Sequence, residues 1–303
     1  HGHGTHCSGT IGGVGNNGIA IAGVNWNVSI IGLKFLDAGG SGATSDAVTC
    51  VNYATKMNAD ITSNSWGGGG YDQSLYDAIA ANGKIFSAAA GNSGTDNDVT
   101  PNYPSNYDLD NIIAVAATDS NDDLAYFSCY GLTSVDLAAP GVGIYSSLPG
   151  NSYDAWDGTS MATPHVSGTV ALLLAADNAL SPAQIKSFIL DNADPVPALD
   201  GKCVTGARLN VFKALQSVKF ISVLSPAGGE VWKSGETMDI TWASNGFAGN
   251  VAIELWKGGA YDSDIAPDEA NDGTYSWAIP SEIANATDYR IKISSIEDPT
   301  ISG

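Results

Sequence analysis

Residues 158–176 read Gly158-Thr-Ser-Met-Ala-Thr-Pro-His-Val-Ser-Gly-Thr-Val-Ala-Leu-Leu-Leu-Ala-Ala176. From Thr159 onward this is a helix with almost no polar side, and a helix apolar all round belongs inside a core. Such a helix needs layers around it, and the sequence upstream supplies them. Ile30–Leu36, Ile61–Trp66, Lys84–Ala90 and Ile112–Ala117 are short runs dominated by small and β-branched residues. Near-continuous apolar strands are buried on both faces, as in a parallel sheet covered by helices. Amphipathic segments lie between them. Ser45 is expected to cap a helix whose apolar positions are Ala47, Val48, Val51, Ala54 and Met57. Asp72 to Ala81 reads as a helix stopped by Gly83, and Ser181–Pro182 opens another. The expectation is an α/β fold: a mostly parallel sheet with helices on both faces.

After Leu215 the texture changes. Val251–Trp256, Thr274–Ile279 and Tyr289–Ser294 alternate apolar and polar residues, with Gly, Asn and Asp between the runs. Period-two patterning with turn chemistry predicts a small antiparallel β-sandwich of roughly 80 residues. The joint is expected at Gln216–Lys219, giving domains over residues 1–217 and 218–303.

Composition narrows the function. Apolar residues make up 44% of the 303, enough for a sizeable core, and 32 acidic against 12 basic residues give a net charge of −20. Phosphate recognition needs clustered Lys and Arg, so this balance argues against nucleic acid or an anionic membrane as partner. It suits an extracellular, secreted protein, or one that works in salty water where the self-repulsion is screened. No run approaches the roughly 18–20 apolar residues of a membrane span. The four cysteines (Cys7, Cys50, Cys129, Cys203) lack C-x-x-C spacing, which disfavours zinc, and their even number permits two disulfides without assigning them. The abrupt opening on His1 and the stop at Gly303 read as cut ends.

Three separated segments carry chemistry: His1-Gly-His3-Gly-Thr-His6, Ser87-Ala-Ala-Ala-Gly-Asn92-Ser-Gly94, and Gly158-Thr-Ser160-Met-Ala-Thr-Pro-His165. Ser160 opens the buried helix, where a backbone N–H and the helix dipole favour negative charge. A serine hydroxyl is a poor nucleophile until a base takes its proton. Asn92 follows a glycine in a turn after a buried strand, so its amide is free to point at a developing oxyanion. Loss of one such donor costs about 3–4 kcal/mol of barrier. Order and separation together resemble the subtilisin-like serine proteases, the subtilase family, over residues 1–215. The resemblance implies an endopeptidase with Ser160 as nucleophile, His3 as general base and Asn92 as oxyanion donor. It gives His6 a structural place. His165 reads as a packed helix residue and His1 carries no role.

The same resemblance implies a substrate strand laid along Gly40-Ser41-Gly42 and Ser65-Trp66-Gly67, with peptide groups as partners. Pocket walls come from Ser65–Gly67 and Ala89–Asn92, including Ala90 and Gly91, with Asn102 near the floor. None of these is charged, so a large apolar residue before the scissile bond is expected. The loop Gly13–Ile21 resembles a calcium loop of the family, one residue longer. Carbonyls of Gly15, Ile19 and Ile21 with the Asn17 side chain offer part of a structural calcium shell, against the alternative of a plain Asn-Gly turn. No cofactor is expected for catalysis. Some members carry a cysteine at the position of Cys7, free and partly buried.

The family orders its triad Asp, His, Ser, and here the His is residue 3. The orienting aspartate is therefore expected outside this chain, since Asp37, Asp136 and Asp157 lie in other contexts. The peptidase domain is expected to be N-terminally incomplete, and the chain alone nearly inactive. The segment Val223–Trp232, with Ile240-Thr-Trp242 and Gly273-Thr-Tyr-Ser-Trp277, resembles an immunoglobulin-like repeat of fungal cell-wall Ser/Thr-rich GPI-anchored proteins. Strand alternation assigns most of Trp232, Trp242, Trp256 and Trp277 to a core rather than to a sugar-binding strip. The reading is of a monomeric, secreted enzyme acting on proteins or peptides. Its rivals are a catalytically dead module of the same fold and an esterase with the same triad.

Overall fold

The computed structural model describes residues 1–303 and divides the chain into two compact units, His1–Leu215 and Gln216–Gly303. The first opens with α1 (His3–Gly12), α2 (Thr44–Lys56), β1 (Ile61–Asn64), α3 (Gln73–Asn82), β2 (Ile85–Ala89) and β3 (Ile112–Thr118). It continues with β4 (Leu137–Pro140), the hairpin β5 (Ile144–Leu148) and β6 (Ser152–Trp156), then α4 (Thr159–Ala176) and α5 (Pro182–Asp191). Short strands β7 (Asp194–Pro195) and β8 (Ala207–Arg208) precede α6 (Val211–Gln216). The sheet runs β1-β2-β3-β4-β8-β7, parallel from β1 to β8, with β7 antiparallel at its edge.

Every residue of β2 and β3 is buried, which explains their lack of polar alternation. Phe86, Ile113 and Leu137 are among the largest side chains wholly removed from water, each contributing roughly 1.5–3 kcal/mol. Helix α4 packs across β1 to β4 and buries Met161, Ala162, Val166, Val170 and Leu173. Local signals set the helix ends. Asp72 accepts the N–H of Leu75 to start α3, and Gly83 at φ 64° ends it. Ser181 and Gln184 close a reciprocal capping box at α5, behind Pro182.

Two sequence expectations fail here. Residues 30–36 form no strand: β1 pairs only with β2 and stands at the sheet edge, so this stretch has no ladder, and Ile30 and Ile31 are exposed. An apolar, β-branched run favours extended backbone, but only a neighbour with free N–H and C=O groups makes it a strand. Ser45 is not the cap of α2 either. Ala43 stands at the N-cap with no side-chain bond, and Ser45 lies inside the first turn.

The second unit holds two antiparallel sheets, β13-β10-β9 and β12-β11-β14. These are β9 (Phe220–Ser225), β10 (Thr237–Asn245), β11 (Val251–Lys257), β12 (Ala260–Glu269), β13 (Thr274–Ala278) and β14 (Tyr289–Ser295). Their core gathers Ile221, Met238, Ile240, Val251, Ile253 and Ile293. Trp242 is buried in it and Trp277 packs against it, whereas Trp256 is half-buried and Trp232 exposed.

Candidate active site

Helix α4 begins at Gly158, whose φ of 153° with ψ of 155° is open only to glycine. The chain therefore turns sharply from β6 into the helix. The first two amides of α4, of Thr159 and Ser160, precede the first intrahelical bond, which the Met161 N–H makes to the Gly158 carbonyl at 2.9 Å. The amide of Thr159 donates to Asn92 Oδ1 at 2.9 Å, and the Thr159 hydroxyl donates to the same oxygen at 2.9 Å. That oxygen is thus fixed, and the Asn92 NH2 becomes the free end of the side chain. It lies beside Gly158, 3.6 Å from where a β-carbon there would stand. The Thr159 hydroxyl also accepts the Gly91 N–H at 3.2 Å, tying the turn after β2 to the start of α4. Thr159 lies within the motif that flagged Ser160, but its link to Asn92 spans 67 residues and leaves no trace in sequence spacing.

The Ser160 hydroxyl donates to the Ser65 carbonyl at 3.2 Å. The Ser160 carbonyl would ordinarily accept from residue 164, but Pro164 has no N–H. It accepts instead from the Ser65 hydroxyl at 2.8 Å and the Cys7 thiol at 3.4 Å. Cys7 Sγ also lies 3.9 Å from His3 Nδ1. Ser160, Ser65, Cys7 and His3 thereby meet at one place. All four cysteines are free, and burial pushes the Cys7 thiol up to about 11, so it is a neutral donor.

His3 projects from the first turn of α1. Burial first, and then repulsion from His6, hold its pKa below the ordinary imidazole value, so the ring is a neutral acceptor near pH 7. No carboxylate bonds to it. Asp37 accepts the N–H groups of Gly39 and Ser41, Asp136 pairs with Lys186 and accepts from Ala114 N–H, and Asp157 accepts from Gly143 N–H. His6 is wholly buried, with Nε2 3.2 Å from the Asp154 carbonyl and its ring stacked on Trp156. His165 Nδ1 lies 2.9 Å from the Met161 carbonyl inside α4, and burial lowers its pKa.

Asn102 lies between two glycines. A β-carbon at Gly67 would stand 2.9 Å from its Nδ2, and one at Gly91 (φ 112°) 3.3 Å from its amide. Gly67 and Gly91 thus flank the Asn102 side chain from two sides. Gly40, Ser41 and Gly42 form a turn of their own, closed by the Asp37 N–H to Ser41 carbonyl bond at 2.8 Å. It connects to the other wall through Phe35, whose ring meets Trp66 edge-on at 5.0 Å.

The loop over Gly15, Asn17, Ile19 and Ile21 is exposed for most of its length, and Asn17 Oδ1 accepts the Ile19 N–H at 2.9 Å. Gly13–Ile21 contains no carboxylate, so it offers neutral oxygens alone and does not make a self-sufficient calcium site. No group of three or more His, Cys, Asp or Glu side chains is placed to hold a metal ion.

A serine at a helix start, a half-buried imidazole and an asparagine amide pinned beside them on a parallel α/β sheet are the arrangement of a serine endopeptidase of the subtilisin class. Residues 1–215 match the subtilase (peptidase S8) family model, and the chain belongs to that family. Residues 225–302 match the Kre9/KNH-like N-terminal Ig-like domain. The chain is 42% identical to thermitase of Thermoactinomyces vulgaris over 219 residues, which cover 71% of this chain and 75% of that protein. It is 40% identical to subtilisin DY of Bacillus licheniformis, covering 64% and 70%. Against subtilisin-like protease 2 of Plasmodium falciparum it is also 40% identical, but spans only 13% of that longer protein. Among solved structures, a protease of Pseudoalteromonas arctica superposes with a TM-score of 0.63 at 30% identity, covering 71% of this chain and 70% of the other. No helix is long and apolar enough to cross a membrane.

Proposed function

We propose that this chain hydrolyses internal peptide bonds through an acyl-enzyme on Ser160, with His3 as general base. The observation that carries the proposal is the pinned Asn92: Thr159 holds the amide oxygen twice, so the NH2 end is committed to face Gly158 and the space beside Ser160. Ser160 Oγ attacks the substrate carbonyl while His3 takes its proton. The oxyanion is held by the Asn92 NH2 and the Ser160 N–H. His3 then protonates the leaving amine, and water repeats the sequence to free the acid. The carboxylate that orients His3 comes from polypeptide outside these 303 residues, a reading supported by the absence of any carboxylate bonded to the ring.

The substrate lies between Gly40-Ser41-Gly42 and Ser65-Trp66-Gly67. Its side chain before the scissile bond enters between Ser65–Gly67 and Ala90–Gly91 above Asn102, an uncharged slot suited to large apolar groups. Gly15, Asn17, Ile19 and Ile21 hold a structural calcium once a carboxylate from elsewhere completes the shell. Residues 218–303 form a separate sandwich of the Ser/Thr-rich anchored-protein type, joined to a peptidase domain of residues 1–217. The protein is secreted and acts as a monomer on protein or peptide substrates.

A fluorophosphonate probe applied to the full-length enzyme is expected to label Ser160, with labelling and peptide turnover both lost in Ser160→Ala. Absence of labelling would favour a dead module, and turnover of esters without peptides would favour an esterase. More than a few per cent of peptide turnover remaining in Ser160→Ala would overturn the assignment.

A further inference from the structure

The geometry points to Trp156 as a positioning residue for His3, acting through the stacked His6 ring and the first turn of α1. This rests on the assignment of His3 as general base. Trp156 ends β6, two residues before the glycine that starts α4, so one short segment carries both it and Ser160. Its indole lies face to face with His6, with centroids 4.8 Å apart and planes 4° from parallel, and 6.4 Å from the His3 ring. It also backs the N-cap of α1. A β-carbon at Gly2 would meet Leu148 at 2.9 Å and Trp156 at 3.6 Å, and Gly2 sits at φ 34°.

The rest of the hairpin grips the same turn. Ser146 donates to the His6 carbonyl at 2.7 Å, Ser147 donates to the Thr5 carbonyl at 3.2 Å, and the Asp154 carbonyl lies 3.2 Å from His6 Nε2. Neither cap side chain nor first-turn carboxylate secures the start of α1. The hairpin supplies what the helix lacks, and His3 is one residue past that uncapped end. Stacking fixes the rotation of the His6 ring, whose Nδ1 is buried without a partner, so hydrogen bonding alone leaves it held at one end. The indole also shields the His3 ring from water on that side.

The titratable groups that meet His3 are His1, His6 and Cys7 on its own segment, and the hairpin packed against that segment carries Tyr145, Tyr153, Asp154 and, just past its end, Asp157. His165 lies on α4. Asp154 accepts the Ala155 N–H and Asp157 the Gly143 N–H, so neither is turned to the imidazole. Removing the indole therefore changes chiefly the solvation and aim of the ring. Opening it to water favours the charged imidazolium, which moves the acid limb of the rate profile to higher pH.

The test uses the full-length enzyme and one chromogenic peptide, with Trp156→Phe, Trp156→Leu, Trp156→Ala and His3→Ala, each checked for folding by circular dichroism. A misaimed base lowers kcat roughly 10- to 100-fold in the Leu and Ala variants. The Michaelis constant should stay within about threefold, and the acid limb should move upward in pH. Phe, which can still stack, should restore most of kcat, whereas Leu, which fills space without stacking, should not. Turnover retained by His3→Ala would refute the base assignment itself. An inactive His3→Ala beside a folded Trp156→Leu with kcat unchanged would refute the positioning role alone. A rise confined to the Michaelis constant would make Trp156 a substrate contact instead.

Discussion

The two halves of the active site rest on unlike foundations. Ser160 and Asn92 rise from α4 and from the end of β2, in the layers where β2 and β3 are buried at every position. His3 stands on α1, after which residues 13–43 form neither helix nor strand and leave Val14, Ile19, Trp26, Ile30 and Ile31 exposed. Ser160 and Asn92, the proposed nucleophile and oxyanion donor, are thus aimed by contacts internal to the sheet and its covering helix. His3, the proposed base, is held through its helix by the β5–β6 hairpin and has no carboxylate bonded to it. A binding and polarising half can be complete in these residues while the proton-transfer half leans on something more.

Restoring that support should give the largest effect. Residues 1–303 alone are expected to turn over a chromogenic peptide about 10⁴-fold more slowly than the same chain joined to a segment that supplies the orienting aspartate, the size of loss known for removing a triad aspartate. Equal rates would mean that a carboxylate already present orients His3, and the contrast between the halves would collapse. On the firmer side, Asn92→Leu should lower kcat roughly 100- to 1000-fold and leave the Michaelis constant nearly unchanged, because the donor acts in the transition state. A change confined to the Michaelis constant would make it a substrate-binding residue. The open stretch after α1 offers a subtler probe. If its Asn17 loop holds calcium in the complete enzyme, chelation should lower the melting temperature by about 5–10 °C, and an unmoved transition would leave a plain turn. The smallest effect belongs to the sandwich. Removing residues 218–303 should leave kcat on a short peptide unaltered, since no candidate site residue lies there; lost activity in a folded peptidase unit would show that it shapes the site.

Legibility in the sequence followed the same division. Helix α4 runs over Thr159–Ala176 as its all-round apolar pattern predicts, and β2 and β3 fall within a residue of their apolar runs, because burial on both faces leaves a dense signal. The run 30–36 carries a similar signal, but a strand also needs a neighbour, and pairing is not a local property. The cap of α2 departs from expectation for a related reason: Ser45 is a good capping residue by type, but the backbone enters its helix two residues earlier. Ser160 and Asn92 were readable as motif members. Thr159 and Trp156 were not, since each acts on a partner 67 or 150 residues away.

Pro164 has a consequence for timing. By withholding one N–H it keeps the Ser160 carbonyl from being satisfied within α4, and the donors that replace it are 95 and 153 residues distant. A nascent or partly unfolded chain can form the helix and still lack the surroundings that make its serine reactive. Hydrolytic competence therefore arrives with the finished tertiary structure rather than with the helix, which spares an incomplete protease from being an armed one.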